Sequence, residues 1–145
     1  LLYVTAAQSD CSPNTLGWAM SCNRDAATDR PLAGMLNFCP LRVVSTSTSW
    51  RQDVFLVVHE VLHALGFSID LIPFWRHPNL ASRTPRTENG DPPRDSGGWV
   101  IDPATIHTST GTSGTVRALA TEGVVAAGRE HFGCGTLEAV PLEDE

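Results

Sequence analysis

The sequence predicts an α+β fold, in which a small twisted mixed sheet packs on one long helix. Three short β-like runs come first, at residues 1–7, 17–22 and 34–39, each bounded by Pro, Gly, Asn or Asp. From Val54 to Leu65 the chain is then apolar almost without interruption. This pattern predicts a long helix that is buried on nearly every side.

The ends of the helices are predicted from single residues. Ser49 can cap the long helix, with Gln52 three residues on at the capping-box spacing, and Gly66 ends it. A second helix is predicted over residues 121–132, between a Thr121 cap and Gly133. Residues 76–115 lie between the helices and are rich in Pro, Gly, Ser, Thr, Asn and Asp, which predicts a long irregular, loop-rich insertion.

Length and charge restrict the class of protein. A chain of 145 residues is long enough for one domain, and its 41% hydrophobic content can fill a core. The net charge is −6, and all ten basic residues are Arg. An acidic balance argues against nucleic acid as a partner, because phosphate contacts need clustered basic side chains. No apolar run approaches the ~20 residues of a membrane span, so we expect no transmembrane segment in this chain.

The four cysteines are Cys11, Cys22, Cys39 and Cys134. An even number in a short chain is compatible with two disulfides and an oxidising compartment, but three connectivities are possible. Their spacing includes no Cys-x-x-Cys pair, which argues against a cysteine-based zinc site.

The chemistry is concentrated in the segment His59-Glu60-Val61-Leu62-His63, which lies within the long helix. Residues at i and i+4 share one helix face, so both imidazoles can bind one metal ion. Glu60 projects from a neighbouring direction, where it can accept a proton from a metal-activated water. This is the division of roles in His-Glu-x-x-His metallopeptidases. The competing interpretation is a pair of buried core histidines with a paired glutamate, which would be costly to bury without partners.

The residues after this motif carry a family resemblance. His63 and Gly66 match the start of the metzincin pattern, but Ile69 stands where that pattern usually places a third histidine. The stretch HEVLHALGFS at residues 59–68 resembles the active-site segment of the leishmanolysin family, especially its invadolysin-like members. Residues 30–34, 37–40, 71–76 and 116–145 are also similar to that family. The resemblance implies a zincin or metzincin-like catalytic module that covers residues 1–145 as a single, incomplete domain.

In that family an insertion separates the glycine from the third zinc histidine. The resemblance therefore implies a third ligand beyond Glu145, supplied by the remainder of the same protein or by a partner chain. The weaker in-chain candidates are His107 and His131, with His77 a further histidine in the same part of the chain. Met20 and Met35 both precede the motif, so neither can form the family's Met-turn. The strand at residues 34–40 is predicted to be edge-like and, by analogy, to lie antiparallel to an extended substrate.

The sequence favours a zinc-dependent endopeptidase that binds one Zn²⁺ through His59 and His63, with Glu60 as general base and a polypeptide as substrate. The alternative is a catalytically inactive, protease-like interaction domain within a larger assembly. A purely structural zinc site is a less favoured interpretation, because such a site requires four protein ligands and does not need Glu60. Cysteine content and resemblance point to an extracellular or membrane-associated setting, with an intracellular one left open.

Overall fold

The computed structural model describes residues 1–43, 49–111 and 114–142. Within these residues, two α-helices and three small sheets confirm the predicted α+β class. The chain divides into two compact units, residues 1–72 and 73–145. The histidine–glutamate motif lies in the first unit.

The first unit contains a three-stranded mixed sheet. Its strands are β1 (Leu2–Thr5), β2 (Gly17–Arg24) and β3 (Pro31–Phe38), in the order β1-β3-β2. β3 pairs parallel to β1 and antiparallel to β2. The prediction that the strand at residues 34–40 is edge-like is therefore wrong, because β3 is hydrogen-bonded on both sides. Within the described residues, the edges of this sheet are β1 and β2.

Helix α1 (Trp50–Leu65) packs on β2 and β3. Its fully buried residues are Glu60 and Ala64, which are one turn apart on the face towards the sheet. The prediction that this helix is buried on nearly every side is wrong, since Phe55 remains 72% exposed and Leu65 62% exposed. An apolar sequence shows which residues can be buried, but the elements packed against a helix determine which of them are buried. Here the three-stranded sheet covers one face of α1.

The two ends of α1 differ in how closely they follow the prediction. Ser49 occupies the N-cap position, but its side chain makes no capping hydrogen bond, so the capping-box prediction is wrong. Its backbone is helical (φ −97°, ψ −7°) rather than in the extended conformation typical of capping serines. Gly66 ends the helix as predicted, at φ 122°, a conformation that favours glycine.

A disulfide joins Cys11 to Cys39, with the two Cα atoms 5.9 Å apart. It connects the loop after β1 to the residue that follows β3. Cys22 and Cys134 are free thiols, so one of the two disulfides allowed by the cysteine count is present.

The second unit holds the remaining elements. A 3₁₀ turn (Ile72–Phe74) crosses the division between the units, and β4 (Arg94–Asp95) and β5 (Gly98–Trp99) form a short hairpin. Strands β6 (Ile106–Gly111), β7 (Gly114–Leu119) and β8 (Val140–Pro141) form a sheet in that order, and helix α2 (Glu122–Phe132) contacts β8. Thr121 occupies the N-cap position of α2 and Gly133 follows its end, as predicted, but the Thr121 side chain makes no capping hydrogen bond. The region predicted to be loop-rich, residues 76–115, thus includes β4, β5, β6 and the first residues of β7.

No helix in the described part of the chain has both the length and the apolar character needed to cross a membrane.

Candidate metal and proton-transfer site

His59 and His63 bring their ring nitrogens together on one side of α1. The two Nε2 atoms are 2.9 Å apart, and the rings meet edge to face with centroids 4.5 Å apart. Both side chains are at least partly accessible to solvent. The i, i+4 spacing of the motif accounts for their proximity, since residues four apart lie above one another on a helix.

The orientation of His63 is set by the end of its own helix. Its Nδ1 atom lies 2.8 Å from the backbone carbonyl oxygen of Phe67. Nδ1–H donates to that oxygen, which leaves the Nε2 lone pair directed at the second histidine. Phe67 is held in place because the chain turns at Gly66 and the Phe67 N–H donates to the Leu62 carbonyl, at 3.0 Å.

Sequence reasoning missed the role of Phe67. The group that acts is a backbone carbonyl, so the identity of the side chain carries no signal. The one usable signal is the helix-ending Gly66, which predicts a reversal of the chain within reach of His63.

The Glu60 side chain lies on the sheet side of α1. It is only 4% exposed, and its side chain lies against the start of β2, next to Gly17. An ideal Cβ atom on Gly17 would lie 3.4 Å from Glu60 Oε1. The sheet therefore forms the wall against which the carboxylate rests, while the histidines occupy the neighbouring side of the helix.

The donor set fits a zinc ion. Zinc binds imidazole nitrogens at about 2.0–2.1 Å with tetrahedral geometry, so two nitrogens on one ion are about 3.3–3.4 Å apart. The observed Nε2–Nε2 separation of 2.9 Å is a hydrogen-bonding distance, so the two nitrogens move apart by about 0.4–0.5 Å when both bind one ion. The hydrogen bond from His63 Nδ1 to a carbonyl is the outer-sphere contact that zinc-binding histidines usually make.

The structure does not assemble a third ligand with this pair. Within residues 1–43, 49–111 and 114–142, no group of three or more His, Cys, Asp or Glu side chains could hold a metal. His77 and His107 are exposed, the latter opposite Ala118 in the β6–β7 ladder. His131 is exposed on α2, where its ring meets Phe132. The assignment of ligands, including one beyond Glu145, stays a prediction.

Comparison with known proteins gives the same family over the whole chain. The sequence model of the leishmanolysin peptidases matches residues 1–145. The chain is 36% identical over 159 residues to a leishmanolysin-like peptidase of Caenorhabditis elegans, covering 100% of this chain and 24% of that protein. It is 33% identical over 157 residues to the ciliated left-right organizer metallopeptidase of Mus musculus, covering 100% of this chain and 19% of that protein.

A more distant relative is the leishmanolysin of Leishmania donovani, which is 28% identical over 145 residues, covering 100% of this chain and 20% of that protein. The chain thus spans about a quarter or less of the length of these relatives.

Proposed function

Because this chain belongs to the leishmanolysin family of peptidases, we propose that it carries two zinc ligands and the general base of a zinc-dependent endopeptidase. The observation that supports this most directly is the placement of three side chains on α1. His59 and His63 present their Nε2 atoms to one point, and Glu60 is held separately against the sheet. A purely structural zinc site has no need of such a buried carboxylate.

In this proposal His59 and His63 hold the metal through Nε2, and the Phe67 carbonyl keeps His63 in the tautomer with a free Nε2 lone pair. Zinc, when bound, polarises the scissile carbonyl and lowers the pKa of water to about 7. The third ligand comes from the remainder of the protein or from a partner chain.

Glu60 acts as the general base in this proposal. Its carboxylate accepts a proton from the attacking water and delivers it to the amine that leaves when the peptide bond breaks. Burial against β2 keeps the carboxylate in one orientation. Positioned general bases of this kind contribute about 10²–10⁴-fold to the rate.

The substrate is a polypeptide that pairs with β2. Within the described residues β2 is an edge of its sheet, whereas β3, the strand predicted for this role from the sequence, is central. β2 begins at Gly17, beside Glu60, so a peptide strand added to β2 passes close to the proposed general base. In strand addition the main-chain hydrogen bonds provide affinity, and pockets for alternate side chains provide specificity.

The disulfide supports an extracellular or membrane-associated setting. Disulfides persist in oxidising compartments and are rare in the cytosol. The Cys11–Cys39 bond joins two residues of the unit that carries the motif.

The decisive experiment is Glu60→Gln in the full-length protein. The amide keeps the shape of the side chain but cannot accept a proton, so peptide hydrolysis should fall at least about 10²-fold. Zinc content and thermal stability should stay close to wild type, because Glu60 is assigned no metal contact. Hydrolysis is measured on a quenched fluorescent peptide, and zinc by elemental analysis.

Two results would contradict the proposal. Wild-type turnover by the Glu60→Gln protein would show that Glu60 is not the general base. No detectable hydrolysis by a zinc-loaded wild-type protein, tested against a broad peptide library, would instead favour the inactive interaction domain.

A further inference from the structure

Strand β2 carries different side chains on its two faces, beside the free edge of its sheet. Gly17 faces α1, since an added Cβ atom there would lie 3.4 Å from Glu60 Oε1. Gly34, the partner of Ser21 on β3, also faces α1, because its added Cβ atom would lie 3.1 Å from a side chain of that helix. The pairing with β3 is regular over residues 17–21, so side chains alternate there between the two faces. The face of β2 towards α1 therefore carries three small residues, Gly17, Ala19 and Ser21.

The far face of the same stretch carries two large residues, Trp18 and Met20. Trp18 is partly buried and lies opposite Asn37 in the ladder with β3. Asn37 is fully buried, and its side-chain oxygen accepts hydrogen bonds from the Thr5 hydroxyl at 2.9 Å and the Ala7 N–H at 2.8 Å. These bonds hold the chain after β1 on the far face, in the row of Trp18. Met20, one row further along, is 52% exposed.

The backbone of β2 determines how an added strand would meet these side chains. The Cys39 N–H donates to the Leu16 carbonyl oxygen at 2.9 Å, which sets the alternation of hydrogen bonds between β2 and β3. In that alternation Trp18 and Met20 direct their backbone groups to β3, whereas Ala19 directs its N–H and C=O to the free edge. A peptide strand that pairs with β2 therefore bonds to Ala19, and its residues opposite Trp18 and Met20 project onto the far face.

We propose that Met20 is a specificity-determining residue, which selects peptides with an apolar side chain at the position opposite it. This rests on the proposed function, in which a polypeptide substrate pairs with β2. Side chains directly opposite each other on paired strands have Cβ atoms about 4.5–5.5 Å apart and interact. Methionine is unbranched and polarisable, so it can contact both aliphatic and aromatic partners. Trp18 extends the preference to the peptide residue two positions away, which lies on the same face.

A charge swap at Met20 tests this proposal in the full-length zinc-loaded protein. Met20→Arg should favour peptides with Glu at the opposite position over peptides with Lys, and Met20→Glu should show the reverse preference. Opposite charges on paired strands stabilise the pairing and like charges destabilise it, so the ratio of kcat/KM for Glu and Lys peptides should differ at least about 5-fold between the variants. A peptide series with one varied position at a time identifies the position, as the one where wild type prefers apolar residues. A general loss of structure would lower hydrolysis of both peptides alike and would not reverse the preference.

Tyr3→Arg and Tyr3→Glu are the matched controls. Tyr3 is the partner of Met35, and Met35 is the partner of Met20, so the three side chains form one row on the far face. Tyr3 is 53% exposed, much like Met20, but it lies on β1 at the opposite edge of the sheet. With neighbouring strands about 4.8 Å apart, it is about 14 Å from a strand added to β2. The same charges at this distance should leave the ratio for Glu and Lys peptides unchanged.

The outcomes separate this role from the proposed function. Equal ratios in the two Met20 variants, or the same shift in the Tyr3 variants, would overturn the role of Met20. If wild type hydrolyses no peptide, the endopeptidase proposal fails, and fluorescence anisotropy of the same labelled peptide series then decides the role of Met20. A reversal of Kd between Met20→Arg and Met20→Glu would support the role, and equal Kd values would overturn it.

Met20→Thr covers the case in which a charged variant does not fold. Its hydroxyl replaces the thioether without adding a charge, so the preference for apolar residues at the opposite position should fall about 2-fold or more. An unchanged preference would overturn the role of Met20.

Discussion

At the scale of single residues, the site depends on where each nitrogen of His63 points. Nδ1 is engaged by the Phe67 carbonyl, so Nε2 is the atom left to bind a metal. Its distance of 2.9 Å from His59 Nε2 puts the two rings in direct contact, close enough for the proposed binding of one metal ion by both. In the proposed site, removal of either ring leaves one imidazole and the third ligand, and two ligands hold zinc too weakly for stoichiometric binding.

We expect His63→Ala to abolish stoichiometric zinc binding by the full-length protein, measured by elemental analysis after dialysis. His107→Ala and His131→Ala are the controls, because the proposal places the third ligand beyond Glu145 and assigns neither histidine to the metal. One zinc per chain in His63→Ala would contradict the assignment of His59 and His63. Loss of zinc in a control variant would identify that histidine as the third ligand.

At the scale of elements, the end of α1 links backbone geometry to the proposed metal site. Gly66 adopts φ 122°, which side-chain-bearing residues rarely adopt, and this turn brings the Phe67 carbonyl to His63. Gly66→Ala should therefore destabilise the protein by about 1–3 kcal/mol. It should also weaken zinc binding by about 10–100-fold, the usual effect of losing an outer-sphere partner.

Gly133→Ala is the matched control for that prediction. Gly133 ends α2 in a left-handed conformation, at φ 63°, and lies in the second unit. Its replacement should cost about 1–2 kcal/mol of stability with no change in zinc affinity. Equal zinc affinity in Gly66→Ala and wild type, measured by competition with a chromogenic chelator, would show that the turn does not orient His63.

The elements also show what can be predicted from the sequence. Gly66 and Gly133 end their helices at positive φ, so these boundaries are confirmed, and Ser49 and Thr121 stand at the predicted N-cap positions without the side-chain capping hydrogen bonds. The motif spacing determines the relation of His59 to His63, because both lie on one helix. Strand β6 is not predicted, since its Thr/Ser-rich sequence has no alternating apolar pattern and its pairing with β7 supplies the order.

Structural properties that depend on contacts between residues far apart in the chain could not be predicted from the sequence. The central position of β3 follows from its pairing with β1 and β2 together, which no single strand encodes. The exposed face of α1 follows from coverage by one sheet. The closeness of Gly17 to Glu60 joins residues from separate elements, and neither residue alone indicates it.

At the scale of the whole molecule, the disulfide is the covalent constraint on the unit that carries the motif. It closes a chain segment with a sequence separation of 28 residues, which includes all of β2 and β3. Because the bond reduces the conformational freedom of the unfolded chain, a segment of this length corresponds to about 3–4 kcal/mol of stability. The sheet that supports Glu60 is therefore expected to depend on it.

We expect Cys11→Ser/Cys39→Ser to lower the free energy of unfolding by that amount, and to reduce hydrogen-exchange protection of the β2 and β3 amides. Cys22→Ser is the control, since Cys22 is an exposed free thiol on the same sheet and its replacement should change neither quantity measurably. Treatment of wild type with a reductant should reproduce the double variant. Unchanged protection of β3 after reduction would mean that the strand pairing and the Asn37 hydrogen bonds hold the sheet without the covalent link.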